Sequence, residues 1–143
     1  MVNLYRVVDN LISLAENKYE QLRDVYLLTQ EQTNAIEDLD METLSELIDK
    51  KQQKIDLIVT FDSQFETITD DIKIVYNVKS LDELQVDSSN IENLKEVISK
   101  VTEILHQIVQ IENLNREKMN NAKEQLERKM SKAQTGKTAI KHS

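Results

Sequence analysis

The chain has 143 residues, a formal net charge of −8, and neither Pro, Cys nor Trp. Lacking Cys, it can hold no disulfide, no zinc–thiolate site and no cysteine nucleophile, and its acidity argues against general binding to nucleic acid or anionic membranes. Its single Gly, at position 136, leaves residues 1–135 without the usual punctuation of turns, so the expected fold is all-α. The expected form is an elongated bundle: an antiparallel coiled-coil hairpin plus a third long helix, with 1–135 as one domain and 136–143 as a flexible tail.

Met1-Val2-Asn3-Leu4-Tyr5-Arg6 lacks a basic stretch followed by an apolar run, so no signal peptide is expected. Residues 4–39 then keep an alternating spacing of three and four between apolar positions. Leu4, Val8, Leu11, Ala15, Leu22, Val25, Ile36 and Leu39 fall on one face. Val7, Leu14 and Leu28 widen that face, as a helix serving two neighbours requires. Lys18, Thr29 and Gln32 interrupt it, and such polar positions can fix register.

Asp40 reads as an N-cap at a corner, with Glu42 in the first turn of the next helix. The second seam runs through Leu44, Ile48, Ile55, Ile58, Phe65, Ile68, Ile72 and Val75. Lys51 falls on it, where its stem can pack while the amine reaches solvent. Ser80-x-x-Glu83 and Ser89-x-x-Glu92 both have the form of a capping box, which predicts a short turn at 80–87 and a third helix from about Asn90. That helix carries Ile91, Leu94, Ile98, Val101, Leu105, Ile108, Met119, Ala122, Leu126 and Met130, and Gly136 reads as its C-cap.

Charge is unevenly divided. Residues 1–90 hold 19 acidic and 8 basic side chains, whereas from Arg116 onward 8 basic residues face 3 acidic ones. The seam softens to Met and Ala in the same region. A basic helix end complements its own dipole, and a Met-rich apolar face also suits exchangeable partner helices.

The chemical motifs are weak. Ser131-Lys132-Ala133-Gln134-Thr135-Gly136-Lys137-Thr138 approaches a phosphate-binding loop, but Ser131 stands where the first Gly belongs and the segment follows a helix rather than a strand. His106 and His142 are the only histidines, and neither has a second His or Cys placed to share a metal. Asp70-Asp71 and Glu37-Asp38 are adjacent in sequence and diverge on a helix. No nucleophile, base and oxyanion site assemble, so the reading is a non-enzyme without cofactor or metal.

Thr29-Gln30-Glu31-Gln32-Thr33-Asn34-Ala35-Ile36-Glu37-Asp38-Leu39-Asp40-Met41-Glu42-Thr43-Leu44, followed by Leu47-Ile48-Asp49-Lys50-Lys51-Gln52, resembles the centre of the FlgN family of flagellar export chaperones. Gln32, Ala35, Ile36, Asp40, Glu42, Leu44, Leu47, Ile48, Lys50 and Lys51 carry the pattern. Asn113-Leu114-Asn115-Arg116 leading to Ala122, Leu126 and Gly136 is also similar. Two positions depart from it. Leu39 stands where the family often has Gly before the corner Asp, and Ala133-Gln134-Thr135 lacks the aromatic often found before the late Gly.

The resemblance implies a cytoplasmic chaperone of the flagellar type III export system. Such a protein binds the C-terminal helical segments of the two hook–filament junction proteins, keeps them unassembled and delivers them to the export gate. With the charge shift and the soft seam, it places the client surface on Leu105, Ile108, Ile111, Met119, Ala122, Leu126 and Met130, with Arg116 and Lys123 pairing with client acids. A self-associating coiled-coil adaptor, or a chaperone for a different flagellar client, would use the same seam.

Overall fold

The computed structural model describes the backbone of residues 3–84 and 88–142, and the side chains of 3–84 and 90–134. Three helices dominate: α1, Leu4–Glu37; α2, Met41–Val75; and α3, Ser88–His142. One 3-10 turn, Leu81–Glu83, lies between α2 and α3. No strand occurs among the described residues.

The sequence starts and stops these helices with identifiable side chains. Asn3 Oδ1 accepts from the Tyr5 and Arg6 backbone N–H groups at 3.1 and 3.4 Å and opens α1. Asp40 opens α2, accepting from the Thr43 backbone N–H at 3.1 Å and from its hydroxyl at 2.7 Å. The first predicted capping box does not form: Ser80 makes no side-chain cap, and Glu83 accepts from the Lys79 N–H at 2.8 Å instead of from that of Ser80. Ser89 of the second lies outside the described side chains.

Both helix exits turn without glycine. After α1, Asp40 N–H reaches Ala35 O at 2.9 Å and Leu39 N–H reaches Ile36 O at 3.1 Å, with Leu39 at φ 55°. After α2, Val78 N–H reaches Lys73 O at 3.1 Å and Asn77 N–H reaches Ile74 O at 3.4 Å, with Asn77 at φ 51°. These are Schellman closures, whose left-handed position usually holds Gly. Asn tolerates it; Leu does so at a cost of roughly 1–2 kcal/mol. Leu39 offsets that cost by packing on the cluster of Ala35, Ile36, Leu44, Leu47 and Ala122.

Helix α1 is the shared element. Both α2 and α3 lie along it, while α2 and α3 meet chiefly through side chains. Three apolar clusters mark successive levels. The first joins Leu11 and Ala15 to Ile72, Leu84 and Leu94; the second joins Leu22 and Val25 to Ile58, Val101, Ile104 and Ile108; the third surrounds Ala35. Rising α1 numbers meet falling α2 numbers and rising α3 numbers, so the order is up–down–up. The contacts Asn90 to Asp9 (3.2 Å) and Lys118 to Glu37 (2.6 Å) hold α3 parallel to α1 near its two ends.

The predicted seams need several corrections. In α2, Leu47 is buried, while Ile48 and Val75 are exposed, because the helix turns one face to α1 only. Lys51 is buried rather than reaching solvent, since it finds partners inside. In α3, Ile104 and Asn115 are buried core positions that the predicted pattern omits. Gly136 does not end α3, which runs on to His142. Ala122 is level with Ala35, so roughly 30 Å of α3 extends past the α1–α2 corner.

Two expectations test the corner. Hydrogen bonds from the Thr43 hydroxyl and then its backbone N–H hold the Asp40 carboxyl below the ordinary 3.8. The cap's contribution to stability is therefore complete above that value and is lost as pH falls through the lowered one. Asp40→Asn, which still caps but does not titrate, is expected to flatten that part of an acid-unfolding curve. In urea titrations, Leu39→Val is expected to lower stability by about 1–2 kcal/mol, because a β-branched side chain fits the left-handed region poorly. Leu39→Gly is expected to change it by less than about 1 kcal/mol, since strain relief and lost packing oppose.

Candidate functional site

Because α2 and α3 both rest on α1, the side where they face each other is left open. Three cavities line up along it. The first, about 340 Å³, lies between Phe65 and Thr69 of α2 and Ile91 and Ile98 of α3. The second, about 270 Å³, is lined by Phe61 and Phe65 of α2 and by Ile98 and Leu105 of α3, over Leu14 and Ala15 of α1. The third, about 430 Å³, has Ile48 and Ile55 on one wall, Met119 on the other, and Ile36 at its base. Ile48, Ile98, Leu105 and Met119 remain 37–50% exposed, so much of their apolar surface is available to a partner. A further hollow between α1 and α2, about 490 Å³, is lined mostly by the polar side chains Asn10, Ser13, Asn17, Ser63, Gln64 and Thr67.

A polar layer crosses the bundle at the third cavity. Helix α1 contributes Thr29, Gln32 and Thr33, α2 contributes Lys51, and α3 contributes Glu112 and Asn115. Asn115 donates to Thr29 O at 3.0 Å and accepts from the Thr33 hydroxyl. The Thr29 hydroxyl donates to Val25 O at 2.6 Å. Lys51 Nζ donates to Gln32 Oε1 at 3.0 Å and pairs with Glu112 across the gap between α2 and α3. Burial pushes the Lys51 ammonium below the usual lysine value, and the two acceptors are what keep such a group inside.

The nine residues expected to form a client surface divide. Leu105 and Met119 line the groove. Ile108 and Ala122 are buried in the core clusters with α1, so they hold the bundle together and present no surface to a partner. Ile111 and Leu126 are half-buried, and Met130 is 72% exposed on the part of α3 beyond the corner. Arg116 and Lys123 are exposed and make no ion pair among the described residues. The sequence reading missed the α2 wall altogether: Ile48, Ile55, Phe61 and Phe65. Its signal was the heptad spacing of Ile48 and Ile55, which cannot be told from a core seam until a neighbour is known to be missing.

No group of three or more His, Cys, Asp or Glu among the described residues could hold a metal. No helix among them is long and apolar enough to cross a membrane. A family model described as FlgN protein matches residues 1–141.

The chain belongs to the FlgN family. This is a family of flagellar export chaperones rather than of enzymes, and its members bind flagellar proteins. No curated protein and no solved structure matches the chain.

The Lys51–Glu112 pair yields a stability expectation. Removing one partner of a buried pair leaves an uncompensated charge, whereas apolar replacement of both members removes the desolvation penalty. Glu112→Ala is expected to lower the unfolding free energy by about 1–2 kcal/mol, less than for a wholly buried pair because Glu112 is partly solvated. The Lys51→Met, Glu112→Leu double replacement is expected to leave stability unchanged or raise it. Equilibrium urea unfolding followed by helical circular dichroism checks both.

Proposed function

We propose that this protein is a cytoplasmic flagellar export chaperone that receives the C-terminal helical segments of the hook–filament junction proteins in the groove between α2 and α3. The observation that carries the reading is the row of half-exposed Ile48, Ile98, Leu105 and Met119 on one open side of the bundle. An unassembled client helix is amphipathic and lacks its final partner. Laying its apolar face over these residues would complete a four-helix arrangement, lower the client's tendency to assemble prematurely and require no nucleotide.

The client and groove would meet as ridges in grooves, as in other coiled-coil-like bundles. Leu126 and Met130, with Arg116 and Lys123, would extend the contact toward the free end of α3 for a client longer than the groove. Delivery to the export gate would then present the client and chaperone together. Acidic residues elsewhere on the body would keep the complex in solution.

Size-exclusion chromatography with light scattering tests this, using a peptide from the C-terminal helix of a hook–filament junction protein. A 1:1 complex is expected, weakened at least tenfold in Kd by Leu105→Asp or Met119→Asp. Leu27→Asp, which alters an exposed side chain that lines none of the three cavities, should leave binding unchanged. A stable oligomer that ignores the peptide would favour a self-associating scaffold.

A further inference from the structure

Two helix faces border the groove at heptad spacing. On α3 these positions are Ile91, Ile98, Leu105, Glu112 and Met119; on α2 they are Leu44, Lys51 and Phe65, the intervening Ile58 being buried against α1. Each stripe carries one charged residue, and the two charged residues meet at the same level. Helix α1 supplies Gln32 there. Two further ion pairs border the groove, Lys18–Asp62 at the second cavity and Lys95–Asp82 at the first, but both are more exposed, and Lys51–Glu112 is the most buried of the three.

We infer that this polar level sets the register of the docked helix by reading a carboxamide. The occupant is an amphipathic helix whose heptad-spaced apolar stripe is interrupted once, by Gln or Asn, opposite Lys51 and Glu112. The inference rests on the reading of the groove as a docking site for a helix.

Hydrogen-bond capacity carries the argument. The Lys51 ammonium has three N–H donors and gives to two acceptors, Gln32 and Glu112. Glu112 has a second carboxylate oxygen, and its side chain is 39% exposed. Lys51, Gln32 and Glu112 all line the third cavity. An apolar side chain docked there would strip water from a charged pair and return no hydrogen bond. A carboxylate would accept from Lys51 but repel Glu112. A carboxamide oxygen accepts from Lys51 while its NH₂ donates to Glu112, and the charge at that level stays balanced. Single polar residues in apolar coiled-coil seams fix register in this way. A helix shifted by one heptad would set its carboxamide against Leu105 or Met119 and its apolar side chain against the Lys51–Glu112 pair.

The probes are designed amphipathic peptides of about 28 residues, long enough to reach from Ile91 to Met119. They are identical except at the central stripe position, Gln in one and Leu in the other; a third carries its Gln one heptad away. Binding is read by fluorescence anisotropy with the full chain. The expected result is about tenfold tighter binding of the central-Gln peptide than of either other peptide. A second expectation is reversal of the Gln-over-Leu preference in the Lys51→Met, Glu112→Leu double variant, whose fold is checked by circular dichroism. A purely structural role for the pair would change all three affinities together. Equal binding of the three peptides to the unaltered chain overturns the inference and leaves the groove reading standing. Binding of none of them overturns both, and needs no variant to fold.

Discussion

Helix α1 packs against α2 on one side and α3 on the other, and that sharing governs the rest of the molecule. Val8, Leu11, Leu22, Val25 and Ile36 are buried almost completely because two neighbours divide their surface. Each fully buried aliphatic side chain contributes about 1.5–3 kcal/mol relative to exposure. The other two helices each bury one face, on α1. Their mutual side is left with half-covered Ile, Leu, Phe and Met side chains, and a groove results. The stability of the bundle and its open surface are thus two consequences of one arrangement.

The polar layer in so narrow a core is accounted for by its partners. Thr29, Gln32, Lys51 and Asn115 are buried, and each has a hydrogen-bond partner. An apolar set of the same size would stabilise the fold at least as well. What the polar set adds is specificity: a slip of α3 along α1 would separate Asn115 from both Thr29 and Thr33. Leu-rich seams without such a marker tolerate shifted registers. In a bundle with one open side, a device that fixes the other contacts disfavours a shifted, closed arrangement of the three helices.

The corner at Leu39 is a local strain that tertiary packing overrides. A left-handed leucine is unfavourable by itself, yet its side chain lies against the third apolar cluster and Asp40 caps the next helix. The family match spans this corner and nearly all of the chain. In this chain the corner dispenses with Gly because the neighbouring packing is good.

Composition and periodicity by themselves determined that the chain is all-α, that Asp40 opens the second helix and that polar residues would interrupt the first seam. Those features are local: they follow from missing Gly and Pro, from short-range capping and from spacing along one helix. The resemblance at residues 29–52 was equally a property of the linear sequence. Only the tertiary structure decided that Ile108 and Ala122 are core while Leu105 and Met119 line a groove, although all four sit in one periodic run. It also decided that Lys51 would meet Gln32 and Glu112 instead of water, and that α3 would pass through Gly136. A helical period states which residues share a face; it does not state how many neighbours that face has, because neighbours are supplied by residues tens of positions away. Whether an apolar stripe is packed or open is set by the count of helices around it, and that count exists only in three dimensions.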